Sequence, residues 1–106
     1  MSSTVVRYKT KPERADENQA LVEAVFAELA ETAPPGLTYE TYRLDDGVSF
    51  VHVASIDTDD GSNPLTSTPA FATFVQGIAD RCSEPPIAVD ANKIGSYGIG
   101  TPVARS

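Results

Sequence analysis

Two stretches of helical periodicity, each set between short β-branched runs, are the strongest constraint on how this chain folds. From Arg14 to Thr32, residues Leu21, Val22, Val25, Phe26 and Leu29 recur along one face of a helix. Asp16 and Glu17 sit in its first turns, where the helix dipole favours acids. Ala33-Pro34-Pro35-Gly36 stops it. A second helix is predicted from Pro69 to Cys82, with Ser67 or Thr68 as N-cap and Pro69 near its first position. Its apolar stripe is Phe71, Phe74, Val75, Ile78 and Cys82.

Strand-like runs surround these helices. Val5, Val6 and Tyr8 mark a strand at about 4–10, broken at Lys11-Pro12-Glu13. Leu37 to Leu44 reads as the second strand, and Asp45-Asp46-Gly47 as a hairpin turn. Val48 to Ile56 is then the third strand, antiparallel to the second. A polar loop, Asp57 to Ser67, leads to the second helix. Pro85-Pro86 ends the following connection. Ile87 to Ile94 is the fourth strand, with an extension through Tyr97 to Ile99 and a loose tail from Gly100. At 106 residues the chain has the length of one domain. The order β-α-β-β-α-β predicts an α+β, ferredoxin-like fold: a four-stranded antiparallel sheet with two helices on one face.

The strands carry apolar residues on both faces. In the third, Val48, Phe50, Ala54 and Ile56 oppose Val51 and Val53. In the fourth, Ile87, Val89 and Ala91 oppose Ala88 and Ile94. A sheet with one wet face has one polar side. Four strands of this length present roughly 400 Å². Burying that area is worth roughly 10 kcal/mol before the costs of association. The expected partner is a second copy, packed sheet against sheet about a two-fold axis.

Charge and composition exclude several functions. Fifteen acids against eight bases give a net charge of −7, which opposes binding to nucleic acid or to an anionic membrane surface. Gly47 to Val53 partly matches the third-strand signature of an RNA-recognition motif. However, Asp46 replaces its basic residue, and Val48 and Val53 replace two base-stacking aromatics. One Cys and one His cannot build a zinc site from those ligands, and the Cys has no internal disulfide partner. Asp57-Thr58-Asp59-Asp60-Gly61 fails the EF-hand pattern, since Gly comes one position early and Thr68 replaces the final Glu. Cys82, on the helix stripe, reads as core. No apolar run approaches a membrane span and the N-terminus has no apolar signal core, so a cytoplasmic location is expected.

His52, the single imidazole, lies mid-strand on the face of Phe50. Such a His serves either as a general base or donor in a cavity, or as a neutral, hydrogen-bonded structural group. Tyr39 and Tyr42 alternate on the neighbouring strand, so one of them shares that face. A Tyr–His pair could hold a phenolic substrate. Arg7 could neutralise an acidic ligand or be a surface charge at a strand edge, and Tyr97 could close a cavity or pack in the interface.

Val5-Val6-Arg7-Tyr8-Lys9, the Leu/Val/Phe helix, Pro35-Gly36-Leu37 leading into Tyr39, and Phe50-Val51-His52-Val53 together resemble the antibiotic-biosynthesis monooxygenase family. The resemblance covers about residues 4–95. It implies a homodimeric α+β barrel with a small cavity between sheet and helices in each protomer. Some members oxygenate aromatic polyketides without metal or flavin, and others degrade haem. The haem degraders take a His from the second helix; Pro69 to Cys82 contains none, and the chain has no Trp. The expectation is therefore a dimer that binds a small aromatic metabolite and oxygenates it without cofactor or metal. His52 and Tyr39 would assist proton removal, and Arg7, Phe50 and Tyr97 would contact the ligand. The alternative is a non-catalytic ligand-binding or structural barrel protein.

Overall fold

A computed structural model describes residues 2–95 and 97. Strand β1 (Ser2–Thr10) leads through a 3₁₀ turn (Pro12–Arg14) into α1 (Ala15–Thr32). Then follow β2 (Leu37–Arg43), β3 (Ser49–Ile56), α2 (Pro69–Val75), α3 (Ile78–Arg81) and β4 (Cys82–Ala91). The sheet order is β2-β3-β1-β4 and every pairing is antiparallel. This is the expected ferredoxin-like arrangement, with the two central strands from the two halves of the chain. The sheet is open. Among the described residues, no helix is long and apolar enough to cross a membrane.

Local chemistry sets the boundaries. Ala33 ends α1 in the left-handed conformation, and its N–H donates to the Leu29 carbonyl at 2.7 Å. Pro34 and Pro35 follow, and neither can continue the helical ladder. Gly36 takes φ +80°, and a Cβ there would lie 2.5 Å from the Asp57 carbonyl oxygen. The Asp57 N–H in turn donates to the Gly36 carbonyl at 2.7 Å. This close approach joins the start of β2 to the end of β3, where Leu37 pairs with Ile56. At the other end of that hairpin, the Asp46 carboxylate accepts from the N–H groups of Val48 and Ser49 at 3.0 and 2.8 Å. Those bonds and the Ser49 hydroxyl pull its pKa down to about 2.

The second helical region differs from the single helix expected over Pro69–Cys82. Thr68 and Pro69 start it as expected, but Gln76 is extended and Gly77 is left-handed (φ 78°). The result is two short helices with a break between them. The Arg81 guanidinium reaches back over the break and donates to the carbonyls of Phe74 and Gln76, groups that a continuous helix would have satisfied itself. Cys82 accordingly does not end a helix but begins β4. Pro85 and Pro86, expected to end a connection, lie inside β4. Their lack of an N–H is tolerated because β4 is an edge strand and its register against β1 shifts between Arg7 and Lys9. β4 also ends at Ala91, short of Ile94. Of the suggested extension to Ile99, Gly95 and Tyr97 are described and lie outside any strand; the rest of it and the tail from Gly100 lie outside the described residues.

The core fills the space between sheet and helices. Tyr8, Phe50, Val22, Val25 and Phe74 are buried there, with Leu21, Phe26 and Leu29 packed against them. Residues paired across the ladder share a face, so the alternate set projects to the other side: Val5, Arg7, Val51, Val53, Ile87 and Val89. Among the described residues, no helix covers that side. Ile87, Val89 and Tyr42 are all more than half exposed on it.

Candidate functional site

The helix-facing side of the sheet encloses a cavity of about 280 Å³ beneath α2 and α3. Val6 and Ile56 form part of its floor, and Leu65, Phe71, Phe74 and Ile78 its roof. No side chain lining it is Asp, Glu, Lys or Arg. Its polar groups include Tyr8, Tyr39 and His52, the last two being diagonal neighbours in the β2–β3 ladder. Such a space, apolar with a few convergent polar groups, suits a small uncharged ring system.

His52 is 5% exposed, and both ring nitrogens are occupied. Nδ1 lies 2.6 Å from the Tyr39 hydroxyl and 3.1 Å from that of Thr41. Nε2 lies 2.8 Å from the Tyr8 hydroxyl. Burial pushes the His52 pKa down to about 4, so the ring is neutral at pH 7. Burial likewise raises Tyr39, with the bond from Thr41 opposing it. Burial raises Tyr8 further, partly countered by the bond from Asn18. The hydroxyls are therefore protonated.

Aromatic packing holds this cluster in place. Phe26 stacks on Tyr39 with ring centroids 4.9 Å apart and 19° between planes. The Phe74 ring lies 5.3 Å from that of His52. Behind Tyr8 the polar contacts continue inward. Asn18 Nδ2 donates to the Tyr8 oxygen at 2.8 Å, and Arg81 Nε donates to Asn18 Oδ1 at 3.1 Å. Asn18 and Arg81 are 0% and 2% exposed.

Of the residues singled out from sequence, the structure brings His52 and Tyr39 together at the cavity wall. Phe50 is buried beneath α1, stacked on Tyr8, and does not line the cavity. Arg7 projects from the opposite face of the sheet, into a cleft with Lys9, Asp46 and Glu84. Tyr97 is fully exposed and does not line this cavity. Cys82 is buried, and burial raises its thiol pKa. Among the described residues, no cluster of His, Cys, Asp and Glu could hold a metal.

Sequence reasoning missed Tyr8, Asn18 and Arg81. For Asn18 a signal existed: it precedes Val22 by four residues and so continues the apolar stripe of α1 as a polar intruder. Arg81 carried none, because its partners are mostly backbone carbonyls.

No family model and no curated protein matches the chain. Solved structures do. A structure named an antibiotic biosynthesis monooxygenase shares 16% identity, covering 90% of this chain and 100% of that one, with a TM-score of 0.70. The cofactor-independent oxygenase SnoaB from Streptomyces nogalater, solved as a single-residue variant, shares 15% over 92% and 96%, with a TM-score of 0.65. Rv0793 from Mycobacterium tuberculosis shares 14% over 90% and 96%, with a TM-score of 0.71. At these identities the likeness establishes the fold.

Proposed function

We propose that this chain, built on the fold of the antibiotic biosynthesis monooxygenases, works as a homodimer that binds a small aromatic metabolite and oxygenates it without a cofactor. The observation that carries this reading is the apolar cavity with the Tyr39–His52 pair at its wall. A volume of about 280 Å³ accommodates one or two fused rings. Tyr39 touches the ligand, and His52 holds Tyr39 from behind. Among the neighbours of similar fold, SnoaB is a cofactor-independent oxygenase, which supports the same chemistry here.

The reaction balances without further reagents. A phenol with a free para carbon loses its proton to water, and the Tyr39 hydroxyl stabilises the phenolate oxygen. Molecular oxygen takes up the ring's electron pair, a C–O bond forms at the para carbon, and protonation gives a hydroperoxide. Loss of the C–H proton then breaks the O–O bond. Water leaves and the quinone remains, so one O₂ is reduced and one phenol is oxidised by four electrons.

The open face of the sheet supports the dimer. Ile87, Val89 and Tyr42 stand exposed beside Val5, Val51 and Val53, an apolar surface of the kind that a self-complementary interface covers.

The test is oxygen uptake with 1-naphthol and a panel of simple phenols, using the wild type and Tyr39→Phe. Uptake by the wild type that falls at least about tenfold in the variant supports the reading. Absence of uptake with every phenol, or equal uptake by both proteins, overturns it.

A further inference from the structure

The contacts that lead inward from the cavity form one continuous chain, and its hydrogen bonds are all satisfied within the protein in only one direction. A guanidinium has donors and no acceptor. Arg81 Nε therefore fixes Oδ1 as the inner end of the Asn18 amide, and Nδ2 must donate outward to the Tyr8 oxygen. With its lone pair taken, Tyr8 turns its own proton to the atom 2.8 Å away, Nε2 of His52. Nε2 is then the bare nitrogen and Nδ1 carries the proton, which it donates to the Tyr39 oxygen at 2.6 Å, with Thr41 at 3.1 Å.

The opposite arrangement leaves one proton without a partner in the protein. If Nε2 carried the proton, the Tyr8 oxygen would accept from both Asn18 and His52, and its own proton would face no acceptor among the described residues. Tyr8 is 3% exposed, so that proton would be left to whatever fills the cavity that Tyr8 also lines, whereas the Nδ1–H form satisfies it within the protein. A doubly protonated ring leaves the same proton stranded and adds a buried charge.

We infer that Arg81, Asn18 and Tyr8 are positioning residues that hold His52 as its neutral Nδ1–H tautomer and thereby turn the Tyr39 hydroxyl into a donor aimed at the cavity, so that the site selects ligands presenting an acceptor oxygen, above all a phenolate. Arg81 strengthens the arrangement. It is a buried cation with no carboxylate within 4 Å among the described residues, and every dipole in the chain points its positive end from the guanidinium toward the cavity. The polarity of the site is thus set from the core, although no charged side chain touches the ligand space. The inference on tautomer stands on the protein alone; its ligand clause rests on the function proposed above.

The chain has one histidine, so the test is direct. Uniformly ¹⁵N-labelled, tag-free protein is examined at pH 7 by long-range ¹H–¹⁵N correlation of the imidazole ring. The expected spectrum shows a protonated Nδ1 and a bare Nε2, the reverse of the form that neutral histidine favours in water. Tyr8→Phe should swing the ring to Nε2–H, whereas Arg81→Lys, which keeps a donor-only cation, should retain Nδ1–H. An Nε2–H or doubly protonated ring in the wild type overturns the inference, whether or not any variant folds. The ligand clause is read with 4-nitrophenol, whose phenolate absorbs separately. Bound probe should ionise about half a pH unit or more below free probe, and Tyr39→Phe should abolish the shift. Bound probe with unshifted ionisation overturns that clause. A cavity that takes up no nitrophenol argues against the proposed function, while the ring spectrum still decides the tautomer.

Discussion

Tyr8 lies directly opposite Phe50 in the β1–β3 ladder, and the two rings stack with centroids 5.5 Å apart and planes 10° from parallel. The stack fixes the plane of the Tyr8 ring, and with it the point from which its hydroxyl meets His52. Phe50 is 1% exposed, so its truncation leaves a cavity that neighbours refill only in part. Phe50→Ala should cost about 3–5 kcal/mol in urea denaturation at pH 7.5. A loss below about 1 kcal/mol would show that the stack is not a supporting element of the site.

Stability should fall as pH drops from 7.5 to 5, and His52 should be the cause. Its pKa in the unfolded chain is near 6.5, and in the folded chain about 4. Between those values the unfolded chain binds a proton that the folded chain refuses. The contribution is complete above pH 6.5 and shrinks as pH falls toward 4. By pH 5 the loss is about 2 kcal/mol. The chain has no second histidine, so His52→Gln should flatten the profile. A His52→Gln variant that keeps the full slope would assign the effect elsewhere.

Two glycines with nearly the same backbone should respond differently to alanine. Gly36 and Gly47 have φ of +80° and +78°. Nothing lies within 4 Å of a Cβ at Gly47, so Gly47→Ala carries only the left-handed penalty of about 1–2 kcal/mol. At Gly36 the new atom meets the Asp57 carbonyl, and Gly36→Ala should cost about 3 kcal/mol. Equal losses in thermal or chemical denaturation would mean that the β2–β3 closure yields freely.

Association can be tested without disturbing the cavity. Val89 is 56% exposed, on the sheet face away from His52. Native mass spectrometry should show twice 11.2 kDa for the wild type and 11.2 kDa for Val89→Asp, with an unchanged far-ultraviolet circular dichroism spectrum. A wild-type monomer, or a Val89→Asp dimer, would remove this face from the interface.

The fold was legible because α1 and β1–β3 follow simple periods. Val22 and Val25 fall where the helical stripe puts them, and Phe50, His52, Ala54 and Ile56 share a face because strands alternate. The second helical region was read too simply. Phe71, Phe74, Val75, Ile78 and Cys82 keep helical spacing across Gly77, and spacing alone does not register a left-handed glycine. The pairing of Tyr39 with His52 was legible for the same reason as the strands. The supports behind it were not. Tyr8 looks like any strand aromatic, and Arg81 is recruited by the very helix break that the spacing concealed. A side chain that satisfies displaced backbone carbonyls leaves no pattern along the chain.

Pro85 and Pro86 have a consequence for solubility as well as for local geometry. They sit in the outer strand of the sheet, where an unpaired backbone would otherwise offer a template to a neighbouring molecule. Neither residue can donate a hydrogen bond outward, so an incoming strand would find only the short run from Ile87 to Ala91 to zip against. Side-by-side growth of the sheet into fibrils is discouraged at this margin.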